Sequence, residues 1–280
     1  MYPFSIGVIT DSFKTDFSSA IKKAQEIGAK GIQTYVTNGD MSPDHLSQSQ
    51  RKEILKMVKD CGLVFSAVCG DLGKGFGNAD ENPQLIEASK RIIELAKDFE
   101  TNIVTTHIGV VPEKPSHPRY QIMQDACRKL AEFADSMDAR FAVETGPEKA
   151  ETLKYFLDSL CSKGVSVNLD PANFVMVTGD DPVKAVYTLK DFIVHTHAKD
   201  GRKLSNIDPE VLYGLKESDM LGSPAFTELP LGEGDVDFDG YLKALNDIGY
   251  SGFLTIEREV GDNPQADIAA AVRFLTDKII

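Results

Sequence analysis

One phrase recurs along this chain and constrains its fold more than anything else: a short apolar run, a polar loop, an amphipathic stretch, then often a glycine before the next run. The candidate strands are Ser5 to Thr10, Gly31 to Val36, Leu63 to Cys69, Ile103 to His107, Arg140 to Glu144, Val165 to Asp170, Phe192 to His197 and Gly252 to Glu257. Between and after them lie candidate helices Ser18 to Ile27, Ser47 to Asp60, Pro83 to Phe99, Arg119 to Met137, Ala150 to Ser162, Pro182 to Leu189, Phe238 to Ile248 and Pro264 to Ile279. Strict alternation calls for parallel strands joined by right-handed crossovers, and eight such units close most naturally into a single-domain α/β structure, a (β/α)8 TIM barrel. The alternative is an open doubly wound sheet. Against it, Gly7-Val8-Ile9-Thr10-Asp11-Ser12 after the first strand offers no phosphate cradle.

Local chemistry supports the helix assignments. Asn82-Pro83, Asp181-Pro182 and Asn263-Pro264 each set a capping side chain before a proline at the first helical position. Gly28, Gly62, Gly164 and Gly249 stand where left-handed caps would end the preceding helices. In the last helix Ile268, Ala271, Val272 and Leu275 recur at helical spacing and should pack on the barrel wall. The glycine-rich stretch from Gly70 to Gly77 lacks Walker spacing and reads as a mobile loop. The segment 198–237, far longer than a usual βα loop, reads as a lid or substrate wall over the C-terminal mouth.

A length of 280 residues suits one such barrel over the whole span 1–280. The formal net charge of −13 would repel a polyanion, so nucleic acid is excluded as a partner. Cys61, Cys69, Cys127 and Cys161 show no C-x-x-C spacing and read as buried free thiols. No basic leader precedes an apolar core, and no apolar run is long enough to span a bilayer. A cytoplasmic protein without a membrane partner is expected.

The chemistry lies at the strand ends. Phe141-Ala142-Val143-Glu144, Val165 to Asp170 and Phe253 to Glu257 each climb through apolar residues and stop on a carboxylate, while Phe192-Ile193-Val194 runs into His195-Thr196-His197-Ala198-Lys199-Asp200. Alternation along a strand points His195 and His197 the same way, as a shared site or as a hydrogen-bonded core pair. In a barrel the C-terminal strand ends converge on one mouth, and there Glu144, Asp170, His197 and Glu257 form a sensible ligand set for one divalent ion: Mn²⁺, Co²⁺, Mg²⁺ or Zn²⁺.

These endings, with Pro230-Leu231-Gly232-Glu233-Gly234 before the seventh helix, resemble the xylose isomerase-like TIM barrels, the sugar phosphate isomerase/epimerase group. The likeness implies that Glu144, Asp170, His197 and Glu257 hold the metal, with Glu144 and Glu257 doubling as catalytic acid/base groups. It implies a small carbohydrate substrate, isomerised or epimerised through proton abstraction next to a carbonyl and a metal-stabilised enediolate. His107 looks like the group's substrate-contacting histidine. His195, Lys199 and Arg202 are further candidates for substrate binding, with core packing or a solvated basic pair as the alternatives. The chain departs from the group at Asp170-Pro171-Ala172-Asn173, where Asn173 replaces a histidine and can donate a hydrogen bond but carry no proton. Barrels of this group often pair, so a homo-oligomer is compatible with the likeness.

Three other functions compete. A lyase of the inosose or dehydroshikimate dehydratase type would start from the same proton abstraction. A relative of endonuclease IV needs several more histidines than His45, His107, His117, His195 and His197 supply, and the charge opposes DNA. A non-catalytic sugar sensor would bind without turnover.

Overall fold

The computed structural model describes residues 1–216 and 224–280. Strands β1 (Ser5–Ile9), β2 (Gly31–Tyr35), β3 (Val64–Cys69), β4 (Ile103–Thr106), β5 (Arg140–Glu144), β6 (Val165–Leu169) and β7 (Ile193–Ala198) precede a hairpin of β8 (Asp200–Lys203) and β9 (Phe226–Leu229); β10 (Phe253–Ile256) follows. The barrel closes in the order β1-β10-β7-β6-β5-β4-β3-β2. Its pairs are parallel throughout, as in Ser5 opposite Phe253 and Ile103 opposite Arg140. The open-sheet alternative is thereby excluded.

The outer ring comprises α1 (Phe17–Glu26), α2 (Gln48–Asp60), α3 (Asn82–Asp98), α4 (Pro118–Ser136) and α5 (Ala150–Asp158). It continues through α7 (Pro182–Leu189), α9 (Phe238–Asp247) and α10 (Pro264–Ile279), while the single turn α6 (Pro171–Asn173) follows β6 and the short α8 (Pro209–Leu212) lies in the segment 198–237. Asp16 caps α1 by accepting from Ser19 N at 2.9 Å, Asp181 caps α7 through Val183 N at 2.9 Å, and Asn263 caps α10 through Ala266 N at 3.2 Å. Asn82 departs from its expected capping role: it lies inside α3, and its Nδ2 donates to Phe76 O. Gly28, Gly62 and Gly249 take the left-handed conformation their helix ends need, whereas Gly164 does not. A Cβ at Gly164 would lie 2.1 Å from Ala131 O, so that glycine is there for a close approach to α4.

Between barrel and helices the core is continuous. Phe141, Val143, Val165, Val167, Leu169, Leu254 and Ile256 are buried, and Ile268, Ala271, Val272 and Leu275 seat α10 as the helical spacing predicts. Each fully buried side chain of this size contributes about 1.5–3 kcal/mol. The stretch from Gly70 to Gly77 is not loose, because Phe76 is buried, its N–H donates to Ile108 O at 2.9 Å, and Gly75 lies against the Ile108–Gly109 backbone. All four cysteines are free, and two depart from burial: Cys161 is exposed and Cys61 half-buried. No helix among the described residues is long and apolar enough to cross a membrane.

The segment 198–237 holds structure of its own: the antiparallel β8–β9 hairpin and the α8 turn; residues 217–223 lie outside the described part. It is tied down by the buried Asp200 carboxylate. That group accepts from the backbone N–H groups of Gly201 (2.8 Å), Gly232 (2.9 Å), Gly234 (3.0 Å) and Val236 (3.1 Å). A Cβ at Gly234 would fall 2.1 Å from Asp200 Oδ1, which explains the glycine in Pro230-Leu231-Gly232-Glu233-Gly234. Because removal of the carboxylate strands four N–H groups, Asp200→Ala should cost on the order of 3 kcal/mol of unfolding free energy. Urea denaturation reads the loss, and an unshifted midpoint would contradict this role.

Candidate metal centre

Four adjacent strands of the barrel, β5, β6, β7 and β10, deliver the ligand-type residues. Glu144 is the last residue of β5, Asp170 directly follows β6, His197 lies in β7 and Glu257 directly follows β10. One donor atom from each lies within 4.8 Å of the others, and all four residues are buried. The turn α6 orients Asp170: its Oδ1 accepts from Ala172 N (2.7 Å) and Asn173 N (3.1 Å). Its other oxygen, Oδ2, makes no hydrogen bond, and Glu257 Oε2 has only ion-pair contacts, with His197 and Lys199, and no aligned hydrogen bond. Buried carboxylate oxygens are rarely left so. Two of them beside an imidazole and a third carboxylate form a donor set that fits a divalent cation.

The remaining polar groups hold this set in place. His197 Nδ1 faces the carboxylates, 3.1 Å from Glu257 Oε2, 3.7 Å from Glu144 Oε2 and 3.8 Å from Asp170 Oδ2. Its Nε2 is within 3.2 Å of Gln33 Oε1, an orienting contact typical of ligating histidines. Glu144 Oε1 accepts from Asn173 Nδ2 at 3.1 Å, and Glu144 Oε2 from Asn168 Nδ2 at 3.4 Å. Lys199 Nζ lies 3.4 Å from Glu257 Oε2 and 2.6 Å from Glu259 Oε2. Burial opposes ionisation of Glu257, yet the Lys199 and His197 charges outweigh it and hold the carboxyl below the usual carboxylate range. Burial likewise disfavours a charged His197, and the Glu144 and Glu257 carboxylates reverse that, raising its pKa well above the ordinary value.

His107, just past β4, reaches the rim of the same cluster: Nδ1 is 3.1 Å from Asp71 Oδ2, and Nε2 is 3.7 Å from Glu144 Oε1. Burial pulls its pKa down, but Glu144 and Asp71 prevail and hold it at about 9. Two residues expected to touch substrate are placed otherwise. His195 lies deeper in the barrel, with Nδ1 bonded to Asn168 Oδ1 (2.9 Å) and Nε2 to Thr255 Oγ1 (3.0 Å). Burial drives its pKa far down, so the ring is neutral, with both nitrogens committed. Arg202 sits on the outer hairpin, where it pairs with Asp235 at 2.9 Å, and it is not among the groups around the cluster. Arg258 turns away from the cluster to Glu228 (2.7 Å) and Asp267 (3.0 Å).

Gln33, Asn168 and Asp71 escape sequence reasoning because their roles arise only when distant strands meet. Glu148 escapes it too. It is buried, its Oε2 accepts from Val111 N at 3.1 Å, and its Oε1 makes no hydrogen bond. Burial pushes its carboxyl up to about 8.

The sequence profile of the xylose isomerase-like TIM barrel matches residues 21–278. The chain belongs to the xylose isomerase-like TIM barrel family. An uncharacterized Methanocaldococcus jannaschii protein, MJ1311, is 24% identical over 212 residues, covering 70% of this chain and 64% of that protein. Among solved structures, the fold is shared with the probable 3-DHS dehydratase AsbF of Bacillus anthracis (TM-score 0.75, 22% identity, 98% of this chain and 99% of that one). It is also shared with a D-psicose 3-epimerase crystallised in the presence of D-fructose (TM-score 0.75, 15% identity, 99% of each chain).

The Glu148 carboxyl makes a prediction with a definite sign. Its pKa is raised by folding from 4.5 to about 8, so the buried group costs nothing below the unfolded value. The cost grows as pH climbs between those values and is complete above the upper one. Glu148→Gln should therefore melt with the parent near pH 4.5 and above it at pH 9, as calorimetry across that range would show. A constant difference at both ends would contradict the raised pKa.

Proposed function

We propose that this protein is a divalent-metal-dependent isomerase or epimerase of a small sugar or keto-polyol. The observation that carries this reading is the convergence of Glu144, Asp170, His197 and Glu257, two of whose buried oxygens have no hydrogen bond. Those four residues would hold the ion. A divalent cation there would act as a Lewis acid on a carbonyl and its neighbouring hydroxyl, acidifying the C–H between them.

The protein's own groups do the rest. Glu257, faced by the Lys199 ammonium, is the base that takes the proton from the substrate carbon. Glu144 is the second proton carrier, held by Asn173 and Asn168 and faced by His107. In barrel order β10 and β5 flank β7 and β6, so a sugar lying over the middle pair has one glutamate at each side. A proton taken at one face and returned at the other is epimerisation; return to the neighbouring carbon is aldose–ketose isomerisation. Lys199 and His107 are the groups best set to bind substrate oxygens. Asn173 keeps Glu144 oriented, and His195 and Arg202 position other residues.

A second reading rests on His107. With Nε2 3.7 Å from Glu144 Oε1, its imidazole is placed to protonate a departing hydroxyl when it carries a proton, and the same proton abstraction then ends in loss of water, as in a dehydratase.

The test is exchange of the carbon-bound proton into D₂O, followed by NMR with Mn²⁺-loaded protein and a panel of ketoses and keto-polyols. Exchange should occur with at least one of them and fall by about 100-fold or more in Glu144→Gln and in Glu257→Gln. Undiminished exchange in both variants would overturn the assignment, and dehydrated product would select the second reading.

A further inference from the structure

Three buried polar residues that ligate nothing in the proposed site run in a row toward Glu144. Thr255 of β10, His195 of β7 and Asn168 of β6 come from strands that lie side by side in the closed sheet, and β5, which ends on Glu144, is next in order. The register sets Asn168 opposite both Glu144 and His195. Thr255 Oγ1 lies 3.0 Å from His195 Nε2, His195 Nδ1 lies 2.9 Å from Asn168 Oδ1, and Asn168 Nδ2 lies 3.4 Å from Glu144 Oε2. All three residues are buried, so each must find its partners within the protein.

The last acceptor fixes the direction of every link. A carboxylate only accepts, so the Asn168 amide must turn its NH₂ to Glu144 and its carbonyl to His195. A carbonyl oxygen only accepts, so His195 must carry a proton on Nδ1. In a neutral ring Nε2 is then the acceptor, and the Thr255 hydroxyl donates to it. Turned over, the Asn168 amide would set its carbonyl oxygen against the Glu144 carboxylate and its NH₂ against the proton on His195 Nδ1. Asn168 Nδ2 also lies 3.1 Å from His197 Nε2, which is itself 3.2 Å from Gln33 Oε1, so one amide edge abuts two of the four clustered residues. The other Glu144 oxygen accepts from Asn173 Nδ2 at 3.1 Å, so the carboxylate is gripped at both ends. The row is also closely fitted at its far end: a Cβ at Gly7 of β1 would lie 2.8 Å from Thr255 Oγ1, so that glycine makes room for the hydroxyl.

We propose that His195 is a positioning residue: its Nδ1–H holds the Asn168 amide in the one orientation that donates to Glu144, and in this way it fixes the Glu144 carboxylate for binding a divalent cation. Groups one step behind a metal ligand commonly set the ligand's direction, and here the row extends that control by two further residues. The effect on cation binding rests on the proposed metal site; the direction of the hydrogen bonds does not.

Two measurements on the full chain separate these parts. Nitrogen NMR of the imidazole rings at neutral pH should show a proton on His195 Nδ1; a ring whose Nδ1 is unprotonated overturns the inference. Calorimetry with Mn²⁺ alone should show affinity falling about tenfold or more in Asn168→Leu, and by a similar factor in His195→Phe, which keeps a ring but no N–H. His195→Asn, whose amide can set a donor near the place of Nδ1, should recover most of the affinity. Because His195 acts through Asn168, adding His195→Phe to Asn168→Leu should weaken Mn²⁺ by no more than about twofold further. Losses that multiply in the double variant, or parent-like binding by His195→Phe, overturn the positioning role. The NMR arm uses the parent protein and decides the amide orientation even if His195→Phe fails to fold. Absence of Mn²⁺ binding by the parent would sink the proposed metal site, and with it the effect on cation binding, while the NMR arm would still decide the direction of the row.

Discussion

Three carboxylates brought within a few ångströms of each other and buried would repel strongly enough to unfold a barrel if nothing answered them, and the organisation of this mouth follows from that constraint. In a low-dielectric interior like charges at such range are individually costly. Here His197 stands among all three, Lys199 reaches Glu257, and His107 faces Glu144 from the opposite rim. The amides of Asn168 and Asn173 add hydrogen bonds to Glu144. The compensation stops short of completion, since Asp170 Oδ2 is left without a hydrogen bond and Glu257 Oε2 has ion-pair contacts alone. A divalent cation would complete it. A binding ion would compete with the proton on His197, so affinity and pH are linked at this site by the same charges that keep it folded.

The scaffold serves that arrangement. Asp170 combines a cap for α6 with a free oxygen, so one short turn fixes the direction of the carboxylate. The hairpin segment after β7 is anchored by Asp200 only one residue beyond Lys199, which couples its position to that of a charge at the cluster. Arg258, next to Glu257, is clamped by Glu228 of β9 and Asp267 of α10, so the loop that carries the second glutamate is stiffened from two sides.

Much of this was legible in the residues. Eight apolar runs alternating with amphipathic stretches announce the barrel, and strand ends that stop on Glu144, Asp170 and Glu257 announce where polar groups gather. Depth was not legible. His195 and His197 share a face, as alternation says, but two residues along a strand span about 6.6 Å. With ring centroids 5.8 Å apart, the upper histidine faces the carboxylates and the lower is sealed between Asn168 and Thr255. Arg202 misled for another reason: proximity to His197 in sequence says nothing once the chain turns outward into a hairpin. Gln33 comes from β2 across the barrel, and only closure brings it to His197. Glu148 shows no pattern at all in one dimension, because what distinguishes it is burial without a partner.

The central claim is that four residues far apart in sequence grip one ion. Anomalous diffraction at the manganese edge from crystals grown with Mn²⁺ tests it most directly. The account predicts a single strong peak in coordinating contact with Glu144, Asp170, His197 and Glu257. A peak elsewhere, or none in well-ordered crystals at saturating Mn²⁺, would contradict it.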